Sequence, residues 1–157
     1  MNRTVARENA FKLLYEEEIK KDYTEENVEL FVNNFCITDE NAIEYIKDIS
    51  QGITEYSIMI NDIIEKNLKE EWTMNRISKI NIAILKLAIY EMLIKKLPYK
   101  GVINEAVELA KKYGDDTSHS FINGILASVV KEQNLFVFEE GKIRENENRT
   151  YNSNTAE

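Results

Sequence analysis

A chain of 157 residues, 43% hydrophobic and 31% charged, is long enough to bury one core unaided, and a single Cys36 excludes a disulfide framework or a cysteine-based zinc cluster. Five glycines and one proline are too few for a sandwich or barrel of many tight turns, so an all-α class with about seven helices is expected. A net charge of −8 weighs against a uniformly basic nucleic-acid-binding surface, and neither a secretory leader nor an apolar run of spanning length is evident, so no membrane association and a cytoplasmic setting are expected.

Ala6, Ala10, Leu13 and Leu14 recur at helical spacing and predict a first helix from about Arg3 to Lys21, with the run Glu16 to Glu18 on its solvated side. Thr24 and Thr38, each followed by acids, read as N-caps of two more helices lined by Val28, Phe31, Val32 and Phe35 and by Ile43, Ile46, Ile49 and Ile53. Cys36 between them is expected in a minor core position. A fourth helix is predicted from Ser57 to Glu70, ending in a polar break at Trp72 to Asn75. That break divides the expected domain, 1–138, into subdomains of about 1–71 and 72–138, with Trp72 plugging the junction.

The stretch from Arg76 to Lys96 is apolar almost all round and predicts the central, most buried helix. Pro98 stops it, and an amphipathic helix runs from Val102 to Tyr113, closed by Gly114 as a C-cap. Thr117 or Ser118 caps a seventh helix with Phe121, Ile122, Ile125, Leu126 and Val129 on its core face; Gly124 within it predicts close backbone packing against a neighbour. From about residue 139 to 157 apolar periodicity ceases, which predicts a disordered polar tail.

The charge is segregated. Residues 1–15 and 72–113 are net basic, by +2 and +5, whereas 16–71 and 114–157 are net acidic, by −11 and −4. Packing of the first helix beside the second half would gather the two basic segments into one patch. Arg3 and Arg7, one turn apart, suit successive phosphates, while Lys111 and Lys112 suit either phosphates or pairing with Glu108. Tyr15 and Phe121 suit either core packing or stacking on unpaired bases. No Gly-rich phosphate loop, paired histidines or nucleophile with a partner base is found, and Asp115 with Asp116 reads as a polar turn, so neither enzyme chemistry nor a cofactor is expected.

Three stretches, VARENAFKLLYEEEI, RISKINIAILKLAIYEML and PYKGVINEAVELAKKYGDDTSHSFINGILASV, resemble the NusB family of transcription antitermination factors. The resemblance implies two small packed helical bundles, binding of boxA leader RNA of ribosomal RNA operons, a heterodimer with the ribosomal protein NusE, and work within the RNA polymerase antitermination complex, with a homodimer left open. Carried over residue by residue, it nominates Arg3, Arg7, Tyr15, Tyr113, Thr117, Ser120 and Phe121 for RNA contact. The neighbouring Lys12, Lys111, Lys112 and Ser118 complete the expected set. This chain has Arg3, Thr4 and Val5 where the family often has adjacent arginines, and Thr117 and Ser120 where it has an acid followed by a Lys, so either weaker RNA binding or greater reliance on the partner is expected. The alternative reading is an acidic scaffold that binds proteins and not RNA.

Overall fold

In a computed structural model, described here for residues 1–135, twelve consecutive residues from Asn81 to Met92 are buried. They form most of the central helix, Lys79–Leu93, and every other layer packs with reference to it. Its apolar residues lie on all sides, so a single partner helix could not cover it. In chain order the α-helices are α1 (Arg3–Lys20), α2 (Glu25–Asn34), α3 (Glu40–Glu55), α4 (Ser57–Lys66), α5 (Lys79–Leu93), α6 (Tyr99–Tyr113) and α7 (Ser118–Glu132), with a 3-10 turn at Met74–Arg76. The class is all-α, as expected. The helices α1, α2 and α3 pack on one another, α1 and α3 also lie on α5, and α6 and α7 pair on its other side. Although α4 precedes the expected break near residue 71, it lies against α5 and α7 as well as α3. No helix among the described residues is long and apolar enough to cross a membrane. The expected tail, 139–157, lies outside the described residues.

Local chemistry sets the helix ends. Thr24 caps α2 by accepting from the Asn27 amide (3.2 Å), as its position before two acids predicts. The third helix is capped by Asp39 and not Thr38: its carboxylate accepts from the Asn41 and Ala42 amides and also meets the N-terminal ammonium of Met1 at 2.7 Å. The central helix starts later than the apolar run suggests because Ser78 accepts from the Asn81 amide. Its chain then turns through a left-handed Lys96 (φ 58°) before Pro98, which starts α6 at Tyr99.

Several sequence expectations are corrected. The fourth helix stops at Lys66, where the Asn67 side chain folds back: its Nδ2 donates to the Ile63 carbonyl (2.8 Å) and its Oδ1 accepts from the Ser128 hydroxyl (2.6 Å). Cys36 is exposed, carried outward by a left-handed turn (φ 53°) after α2. Gly124 faces solvent with nothing within 4 Å of where a Cβ would stand, so neighbour packing does not account for it. Gly114 ends α6 in extended rather than left-handed backbone; a Cβ there would collide with the Ser118 side chain. Trp72 is 40% exposed, so it lies at the surface and does not fill a junction.

The acidic run on α1 is the largest departure. Glu17 and Glu18 are buried, at 2% and 4% exposure. Glu17 accepts from the Ser50 hydroxyl of α3 (2.6 Å), and Glu18 is ion-paired with the buried Lys86 of α5. Burial pushes the Glu17 carboxyl up to about 7 against the opposing pull of Ser50 and Lys86, while the charges of Glu18 and Asp22 push the same way as burial.

Candidate nucleic-acid interface

The N-terminal half of α1 and the C-terminal end of α6 meet at Glu8. Its carboxylate accepts from Lys112 Nζ (2.7 Å) and from the Tyr113 hydroxyl, and the Tyr113 ring lies 5.1 Å from Phe11. The hydrogen bond from Lys112, and then that from Tyr113, holds the Glu8 carboxyl below its ordinary pKa. This clasp joins the two basic segments, as the charge pattern predicts, but it also places an acid between them.

Arg3 sits partly exposed at the start of α1, 3.6 Å from Glu105 of α6. Arg7 was expected to point the same way into solvent, and it does not. Its side chain is 5% exposed, with Nε and Nη2 in a two-pronged bond to Glu91 Oε2 and Oε1 (2.9 and 2.7 Å) and Nε also 2.9 Å from Glu105. The spacing of Arg3 and Arg7 is correct for one helix face, but the second turn of α1 already lies over α5. Burial pulls the Arg7 pKa down, yet the charge and hydrogen bonds of Glu91 outweigh it, so the guanidinium stays ionised above its ordinary value. Arg7 therefore fastens α1 to α5 and α6 and positions Arg3.

Lys12 lies 5.9 Å from the Phe35 ring and has no carboxylate partner among the described residues, while Tyr15 is half-buried against the core. Lys111 pairs with Glu108 (3.7 Å), whereas Lys112 turns away from that acid to Glu8. Beyond α6, the Asp115 carboxylate accepts from the Thr117 amide and hydroxyl (both 2.9 Å) and from the Ser118 hydroxyl (3.2 Å), and Ser118 Oγ accepts from the Asp115 amide. The Thr117 hydroxyl leads these bonds in holding the Asp115 carboxyl below its usual value. Thr117 takes the N-cap position of α7, as expected, but its side chain caps no amide; the Asp115 carboxylate instead orders the turn that leads into the helix. Ser118 is buried, Thr117 and Ser120 are exposed, and Phe121 is half-buried. The Phe121 ring lies 6.0 Å from that of Trp72, a neighbour the sequence gives no reason to expect. Among the described residues no group of acids, His and Cys is placed to hold a metal.

The resulting surface is a track: Arg3 at the start of α1, the Lys111–Tyr113 end of α6, the Asp115 turn, then Ser120 and Phe121. Acids at Glu8, Glu105 and Glu108 punctuate it. Such a track offers separated cations and aromatic faces.

Comparison with known proteins points the same way. The NusB family model matches residues 4–131. The transcription antitermination protein NusB of Acetivibrio thermocellus is 46% identical over 132 residues, covering 83% of this chain and 90% of that protein. The structure of T. maritima NusB matches with a TM-score of 0.75 at 36% identity, over 84% of this chain and 92% of that one. A structure of antitermination factors NusB and NusE in complex with double-stranded RNA matches at 0.74 and 28% identity, over 83% of this chain and 96% of that one. A family match that spans all seven α-helices, with relatives of nearly the same length, establishes that the chain belongs to the NusB family.

Proposed function

We propose that this protein is a non-enzymatic transcription antitermination factor that acts in the cytoplasm, binding boxA leader RNA jointly with NusE and holding it within the RNA polymerase antitermination complex. The observation that carries the reading is that a NusB of the same fold is known in complex with both NusE and RNA. Partly exposed Arg3 and exposed Lys111 and Lys112 supply phosphate contacts, and Phe121 and Tyr15 supply faces for unpaired bases. Arg7 and Lys86 are held in internal pairs with Glu91 and Glu18, and the remaining charge still sums to −8. A basic ribosomal partner reverses that field and draws the RNA in.

The internal pairing also favours a second reading, an acidic scaffold that binds NusE alone. Arg3→Glu separates the two. If Arg3 meets a phosphate, the variant binds boxA RNA more weakly and its plot of log affinity against log salt flattens by roughly 0.7, the single-strand value per lost contact. Helical circular dichroism stays unchanged, since Arg3 is partly exposed and an acid near a helix start is favourable. Unchanged affinity and slope would favour the scaffold.

A further inference from the structure

The segment between α4 and α5 follows α7 backwards. Asn67 is bonded to Ser128 (2.6 Å) and Glu132 (3.3 Å) near the C-terminal end of α7, and five residues on Trp72 reaches Phe121 at its N-terminal end. Trp72 is the only tryptophan in the chain, and a tryptophan left 40% exposed in a loop forgoes much of the burial that normally retains it. Its ring is inclined at 52° to that of Phe121. On it lies the Arg76 guanidinium, 5.9 Å from the ring centroid, tethered by a hydrogen bond to the Glu71 carbonyl (2.9 Å) and without a carboxylate partner among the described residues. Two π faces and a planar cation are thus gathered at one exposed spot.

The chemistry around the spot selects its occupant. Glu70 and Glu71 in the same loop disfavour a phosphate. The exposed neighbours Thr73, Asn75, Thr117 and Ser120 are polar, so no apolar stripe continues from the rings to seat a partner helix. A nucleobase is flat, carries no charge, stacks on aromatic faces and guanidinium planes, and has polar edges that suit the rim. Phe121 also ends the track of cations and turn residues assigned above to RNA. We propose that Trp72, with Arg76 and Phe121, forms a platform on which an unpaired base of the bound RNA stacks, extending the RNA track beyond α7 onto the α4–α5 loop. This rests on the RNA-binding reading.

The single tryptophan makes the test direct. Affinity is read by anisotropy of a short end-labelled single-stranded boxA RNA, and stacking by Trp72 emission on adding the unlabelled RNA. Both are run on the full chain, alone and with saturating NusE, and the Trp72→Phe complex serves as the blank for partner emission. The platform predicts that RNA quenches Trp72 emission. It also predicts that Trp72→Leu, folded by circular dichroism, binds roughly five- to hundredfold more weakly, the range for one stacked base. Trp72→Phe keeps most of the affinity, which guards against a variant that merely unfolds. Wild-type RNA binding with unchanged emission, or wild-type affinity in Trp72→Leu, overturns the platform and leaves the RNA reading standing. Quenching by NusE alone, with nothing added by RNA, assigns the surface to the protein partner and also overturns it. No RNA binding by the wild type under any of these conditions overturns both.

Discussion

Arg7→Ala should cost about 3–5 kcal/mol of stability, far more than its place near the chain terminus suggests, because it leaves the Glu91 carboxylate buried and uncompensated. Glu91 is 1% exposed, so water cannot replace the lost guanidinium, and Glu105 on α6 loses a partner as well. For a chain of this size the loss is a drop in Tm of roughly 10 °C. The pair itself is not expected to be a large net source of stability. The double change Arg7→Met with Glu91→Leu removes both charges, and should recover most of the loss, since well-packed apolar replacements of a buried ion pair are often neutral. Urea unfolding followed by helical circular dichroism measures all three variants. A loss under about 1 kcal/mol in Arg7→Ala would place Arg7 in solvent, where a surface ion pair has that value.

Glu17→Gln should stabilise the protein at pH 8 and change little at pH 5. The folded-state carboxyl, raised to about 7 by burial, stands above its unfolded value of 4.5. The stability it contributes is therefore fully present below pH 4.5 and is lost as pH rises through 7. Near pH 5 the neutral carboxyl leaves Glu18 and Lys86 as a balanced buried pair; above 7 the site carries an extra negative charge beside Glu18 and Asp22. Glutamine accepts the same hydrogen bond from Ser50 and never ionises. From pH 5 to pH 8 the wild type should lose about 2–3 kcal/mol relative to the variant, at 1.4 kcal/mol per unit of pKa difference. Parallel stability curves for the two proteins across that range would show that Glu17 titrates as an ordinary exposed glutamate.

Both residues mark the limit of what one sequence discloses. Periodicity identifies the seven helices because an apolar stripe is a local signal: α5 is apolar all round, and Ile122, Ile125, Leu126 and Val129 of α7 are buried as spaced. Caps are local too, yet Thr38 and Asp39 are adjacent short acceptors, and only the register of α3 chooses the second. Buried charge is not local. Glu17 meets Ser50 at 33 residues' separation, Glu18 meets Lys86 at 68 and Arg7 meets Glu91 at 84, so each acid or base taken alone looks like a solvated surface group. The same reason hides the clasp of Glu8 with Lys112 and Tyr113, and the meeting of Trp72 with Phe121. The track was legible as two basic segments and a turn; which of its cations are free was not.

The most direct measurement is the dissociation constant of boxA RNA for this protein with and without saturating NusE. Coupling between two ligands is reciprocal and commonly 5- to 150-fold, and a chain with net charge −8 and its best-placed arginine buried should fall within roughly that range. NusE should tighten RNA binding by such a factor, and RNA should tighten NusE binding equally. The same RNA dissociation constant in both titrations would contradict the cooperative binding, and no RNA binding in either would leave only a protein-binding scaffold.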